Sequence, residues 1–216
     1  IITSDVERFF ALYDDPAIAG QPDLLAARYL AEPTPGFAEF MTLRRITPER
    51  LATALRDKRQ VFDDARGCAA KLGGVRPRLI AATDRLAALY PQAKFPPITI
   101  AIGRASTAGT ANANGLYIGL EALCAATFIE ADDEDRFVHV IAHEYVHAQQ
   151  PLAQVEDPEE KVLPAALGEG VAEFVGELMS GSVGYPLLHK WAKGREKALE
   201  TAFLAEVVQR TGCGLL

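Results

Sequence analysis

The stretch Phe137–Gln150, FVHVIAHEYVHAQQ, decides how the rest of the chain is read. It contains His143-Glu144-Tyr145-Val146-His147, an H-E-x-x-H pattern. On a helix, residues four apart share a face about one turn apart, so the two imidazoles can reach one ion. Glu144 projects from an adjacent part of that face, where it reaches a water on the ion rather than the ion itself. Phe137, Val138, Val140, Ile141, Ala142, Tyr145, Val146 and Ala148 surround the helix with apolar groups and predict burial. Polar side chains on a buried helix must be satisfied, by a metal or, in the plainer alternative, by hydrogen bonds to core carbonyls. Imidazole suits Zn²⁺, and zinc makes hydroxide available near neutral pH, which is the chemistry of metal-assisted hydrolysis. His139 lies one turn before His143 and about 40° around the helix. It reads as a supporting or structural residue rather than a ligand.

Two histidines leave a hydrolytic zinc site incomplete, since three protein ligands and an open position are needed. Downstream, after a polar loop, Leu163-Pro164 opens a helix reading ALGEGVAEFVGELMSG. Glu169, Glu173 and Glu177 fall four apart on one face of it, while Val171, Phe174, Val175 and Leu178 supply packing. Carboxylates on a buried helix need a cation or a donor; their alternative is a solvent-facing acidic row. Glu169 is the expected third ligand, with Gly168 and Gly170 beside it to admit another backbone or a substrate. Glu173, one turn on, is expected to accept a hydrogen bond from the non-metal nitrogen of His143, although the two roles can be exchanged. Glu177 lies too far along the helix.

Before the histidine helix, Glu130–Asp135 (EADDED) is an acidic run that complements the helix N-terminus. A calcium site is the sharper alternative, without EF-hand spacing. Pro97–Ile102 reads as a strand, Arg104–Asn114 as a small, polar, mobile loop, and Gly115–Leu120 as a second strand suited to a sheet edge. Asn112 and Asn114 read as turn formers. Upstream, helices are predicted over 3–13, over 22–30, from Thr47-Pro48 to about Gly67 or Lys71 with Gly73-Gly74 as terminator, and over 76–89 with Pro77 in the first turn. Glu32–Gly36 reads as a turn or loop and Phe37–Met41 as a short apolar segment. Residues 185–208 form a final amphipathic helix or pair, with Gly194 as a break.

The composition bounds these readings. At 216 residues and 49% hydrophobic, the chain is one globular domain, divided into an N-terminal helical part (1–92), a catalytic core (93–182) and a C-terminal helical part (183–216). The expected class is α+β, mainly helical, with a small antiparallel or mixed sheet. A net charge of −7 gives no basic footprint for nucleic acid or an anionic membrane. No apolar run approaches the roughly eighteen residues a membrane helix needs. Cys68, Cys124 and Cys213 have no C-x-x-C spacing; one bridge among them is possible, and the sequence leaves it open. The chain opens on Ile1, as after removal of a signal peptide or some other leading segment, so the periplasm or the exterior is the expected location.

HEYVH followed, after 21 intervening residues, by the EGVAE of Glu169–Glu173 resembles the gluzincin metallopeptidases, of which thermolysin and aminopeptidase N are typical. The wording HEYVHAQQ with an upstream NGLYIGLE is similar to predicted zinc-dependent proteases of bacteria. The resemblance spans about residues 98–180. It implies a zincin-like fold, Zn²⁺ held by His143, His147 and Glu169, a Glu173 that orients a zinc histidine, and a peptide or protein substrate laid along an edge strand at Leu116–Leu120. Gly168 stands where many gluzincins have Asn, and no G-A-M-E-N segment is present, so aminopeptidase specificity is not implied. An additional donor should face the developing oxyanion. Tyr185 and His189 are the candidates. Besides a zinc peptidase, two readings stay open: a catalytically weak or inactive scaffold that keeps the zinc, and a zinc hydrolase of non-peptide amides or esters.

Overall fold

Caps, prolines and apolar stripes divide the N-terminal part into helices α1 (Ser4–Tyr13), α2 (Pro22–Ala31), α3 (Pro35–Arg44), α4 (Pro48–Asp57), α5 (Arg59–Ala69) and α6 (Leu72–Leu89). The computed structural model describes residues 1–150 and 162–211. Helix α3 occupies what reads as a loop and a short apolar segment. Its start is a Thr-Pro pair like that of α4: Thr34 accepts from Phe37 N and Thr47 from Arg50 N, each with proline at the first helical position. The single helix expected after Thr47 is broken at Lys58 (φ −129°, ψ 34°), whose ammonium donates to the Ala105 carbonyl at 2.8 Å. Gly73-Gly74 does not end a helix but lies in the first turn of α6, which places Pro77 inside that helix rather than in its first turn.

Three short strands follow: β1 (Ile98–Ala101), β2 (Gly109–Asn112) and β3 (Gly115–Gly119), in the order β1-β3-β2. Strands β1 and β3 run parallel, with Ile98 opposite Leu116, and β2 is antiparallel to β3, with Gly109 opposite Ile118. Every residue of β1 and β3 is buried. Since alternate side chains point to opposite faces, both faces of the sheet are covered. Helices α1 and α3 pack on it, as does the histidine helix described below. The outer side of β1 is met by Ile2, which bridges to Thr99.

Two expectations are corrected here. Strand β3 is the centre of the sheet, not its edge, and part of the expected loop 104–114 is the edge strand β2. The reversal between them is built by Asn112, whose side-chain oxygen accepts from Asn114 N and Gly115 N at 2.9 and 3.1 Å. Small residues give β2 little strand signature, and pairing to β3 overrides that weakness.

The remaining elements are α7 (Leu120–Ala125), α8 (Asp133–Gln149), α9 (Val162–Ser180), α10 (Pro186–Ala192) and α11 (Glu196–Thr211). Gly194, at φ +81°, separates the last two. The acidic run serves the start of α8. Asp132 accepts from Asp135 N, Asp133 pairs with Lys71 and with the buried Arg136, and Asp135 pairs with Arg78. A disulfide joins Cys68 of α5 to Cys124 of α7; Cys213 and the polar loop over 151–161 lie outside the described residues. The result is mainly helical with a small mixed sheet, an α+β arrangement. Among the described residues, no helix is long and apolar enough to cross a membrane.

Candidate metal centre

Helix α8 runs through the core, with Phe137, Val138, Ile141 and Ala142 almost fully buried. Its i, i+4 spacing sets the two imidazoles side by side, with His143 Nε2 and His147 Nε2 2.9 Å apart. Helix α9 packs against α8. The two backbones come close at Gly176, where a Cβ would lie 3.3 Å from the His143 backbone. That approach brings Glu169 to the pair: its Oε2 lies 3.3 Å from His143 Nε2 and 3.4 Å from His147 Nε2. Ligands at about 2.0–2.1 Å around a tetrahedral zinc are separated by roughly 3.3 Å from one another, and this triangle is close to that size. His143, His147 and Glu169 together could hold a metal ion.

The groups behind the histidines decide which nitrogens face inward. His143 Nδ1 lies 3.2 Å from Glu173 Oε2. Burial works to raise the Glu173 pKa, but the imidazoles of His139 and His143 outweigh it and hold the carboxyl at about 2, so it is an acceptor and the Nδ1–H donates. His147 Nδ1 lies 2.8 Å from Gln150 Oε1, and the amide is oriented because Gln150 Nε2 donates to the Gly168 carbonyl at 2.9 Å. With both Nδ1 atoms protonated, two lone-pair nitrogens and a carboxylate oxygen converge with no proton among them. Such a cluster calls for a cation. Burial opposes charge on His143, but the Glu173 hydrogen bond and the carboxylates of Glu144 and Glu169 prevail and raise its pKa. The residues therefore fit a divalent ion bound by nitrogen and oxygen ligands. The side chain of Glu169 is 68% exposed, which leaves one side of the cluster open to solvent.

The other expected site residues divide. Glu144 is 7% exposed beside the triangle. Burial raises its pKa most, opposed by the charges of His143, His147 and Arg44. Strand β2 runs so close that a Cβ on Gly109 would fall 2.5 Å from Glu144 Oε1. His139, 2% exposed, stands 3.1 Å from Glu173 Oε1 but off the line of a hydrogen bond, and it does not reach the metal cluster. Tyr185 shares a cavity of about 340 Å³ with His139, His143, Glu144 and Glu173. Its backbone is left-handed (φ 52°) and its N–H donates to the Ile129 carbonyl at 2.8 Å. Burial, and then the nearby carboxylates, raise the Tyr185 pKa, so the phenol keeps its proton. His189 is elsewhere: half exposed, 3.4 Å from Glu177 Oε1, it lines neither cavity beside the histidines.

A second cleft of about 700 Å³ opens over the triangle, bordered by β2, by His143, Glu144 and His147, and by Leu167 and Val171 of α9. Gln150 and Arg44, which also line it, have no role expected from the sequence. Gln150 is legible in principle as the amide closing the helix after HEYVH. Arg44 comes from the N-terminal helices and has no motif to mark it. No family model, curated protein or solved structure matches the chain.

Proposed function

We propose that this chain is a zinc-dependent peptidase with a gluzincin-like arrangement, in a zincin-like core made of α8, α9 and the small sheet. The observation that carries the reading is the convergence of three acceptors, two of them locked by Glu173 and Gln150, beside a buried carboxylate and an open cleft. Zinc held by His143, His147 and Glu169 would supply a water of lowered pKa and polarise the scissile carbonyl.

The chain's own groups do the rest. Glu144 accepts the proton of the attacking water and returns it to the leaving amine. The Tyr185 hydroxyl, still protonated, is the donor available to the developing oxyanion from the adjoining cavity. An extended peptide adds to the free edge of β2, in place of the buried β3, and Leu167 and Val171 receive its apolar side chains. The Cys68–Cys124 bridge supports a periplasmic or secreted location, where disulfides persist.

Metal analysis of the purified protein, paired with cleavage of a broad peptide library, tests this. Stoichiometric zinc with peptide cleavage is the expected result. Zinc without turnover would make the domain a binding module, and cleavage of acyl esters alone would make it a different hydrolase. Glu173→Ala separates ligand from support: the zinc should remain but bind about ten- to hundred-fold more weakly, because His143 loses the acceptor that fixes its tautomer. Complete loss of metal in that variant would place Glu173 among the ligands.

A further inference from the structure

The cleft contains an arginine, Arg44, with no ion-pair partner among the described residues. Arg44 ends α3, where the chain closes with Ile46 N donating to the Met41 carbonyl at 2.9 Å and Arg45 N to that of Thr42. Arg45 is left-handed (φ 50°) and Ile46 is buried, which completes a helix stop of the Schellman type. The Arg44 carbonyl also accepts from Arg104 Nε at 3.3 Å. The base of this side chain is therefore fixed. Arg44 lines both cavities beside the metal cluster, which meet at Gly109, His143 and Glu144.

Among the described residues, no carboxylate or carbonyl pairs with that guanidinium, and its Nε is shielded from water without a partner. Arg8 and Arg136 also leave an Nε unpaired, but they are anchored by Asp5 and Asp133 at 2.7 and 2.5 Å. Among the described residues, Arg44 has no such anchor. Its charge acts on Glu144, lowering that pKa against the larger upward effect of burial. An arginine is a fork of planar donors that matches a carboxylate in two parallel bonds, so a half-buried one beside a cleft suits an anionic ligand.

We propose that Arg44 is the carboxylate-recognising residue of this cleft, selecting substrates that bring a free carboxylate to the metal site. Either a C-terminal carboxylate or an acidic side chain provides that chemistry. The proposal rests on the metal-site reading above, and the apolar wall formed by Leu167 and Val171 adds a requirement for neighbouring apolar groups.

The test uses zinc-loaded protein and two probe series: monohydroxamates of the α,ω-dicarboxylic acids from succinic to suberic, and the same molecules with the far carboxylate converted to a carboxamide. The hydroxamate end seats on the metal and the varied chain length searches for Arg44 without assuming a direction. Calorimetry should give at least one length whose acid binds roughly ten- to hundred-fold more tightly than its amide, the range expected for charge-assisted bonds. In Arg44→Gln that preference should vanish while amide binding stays, which also certifies the fold. Arg44→Lys should recover part of it. Equal binding of both series by the unmodified protein overturns the proposal alone. Equal weakening of both in Arg44→Gln overturns it too, since Arg44 would then act through Glu144 or the metal. No binding of either series sinks the metal reading and this proposal with it. Cleavage of library peptides made as free acids and as C-terminal amides, with and without Asp or Glu, then assigns the source: a preference abolished by amidation is terminal, and one that follows the acidic residue is a side chain.

Discussion

In His147→Ala, bound metal should fall to background and the stabilising effect of added zinc should disappear. The variant deletes one of three ligand atoms that lie within 3.4 Å of their neighbours, and it leaves Gln150 without its imidazole. Two remaining ligands do not hold a divalent ion against water, so affinity should drop by at least about a thousandfold. Stability follows by mass action. A ligand present at about a hundred to a thousand times its Kd contributes roughly 2.7–4.1 kcal/mol, which for a domain of this size is a shift of about 5–15 °C. The apo proteins should differ much less. The His143 and His147 nitrogens lie 2.9 Å apart, and deleting one ring removes that close approach along with some packing. Thermal unfolding of both proteins, each with zinc and with chelator, separates the effects. Unchanged zinc content in the variant would refute the ligand assignment.

How much of this could be read from residue order depends on the range of the interaction. His143, Glu144 and His147 sit within five positions on one helix, so a helical period alone places them, and the apolar residues around them fix their burial. Glu169 and Glu173 sit on another helix, and their four-residue spacing leaves the choice between ligand and support to the way α9 approaches α8. The close approach of the helices at Gly176 sets Glu169 beside both imidazoles and Glu173 behind His143. Arg44 and β2 were beyond reach for a different reason. Arg44 arrives from about a hundred positions away through the tertiary fold, with no local pattern, and β2 is built from small residues that become a strand only by pairing with β3. Lys58 breaks a helix without glycine or proline, and its ammonium donates to the distant carbonyl of Ala105. Helix α3 is the contrary case: Thr34-Pro35 repeats the cap-and-proline signal of Thr47-Pro48, so its start was legible. His189 shows the limit of placing a donor by chain proximity, since its partner is Glu177 on the neighbouring helix rather than anything at the metal.

Glu144→Gln should remove hydrolysis while leaving the metal and the fold in place. Glutamine has nearly the volume of glutamate, so the tight fit against Gly109 is retained. It cannot accept a proton at any working pH, however, and loss of a positioned general base lowers turnover about 10²–10⁴-fold. Glu144 is not a ligand atom of the triangle, so zinc content should match the unmodified protein. Stability gives an independent reading. The carboxylate is buried, accepts no hydrogen bond from the described residues, and has its pKa raised by that burial. A neutral amide removes the cost of desolvating a charge, so the chelated variant should unfold at the same temperature as the chelated wild type or above it. That combination, activity lost without a stability cost, marks a residue held in a costly state for chemistry rather than for folding. A variant that loses zinc would show Glu144 to be part of the metal's support. One that cleaves the same peptides at the same rate would remove the general base from the proposed reaction.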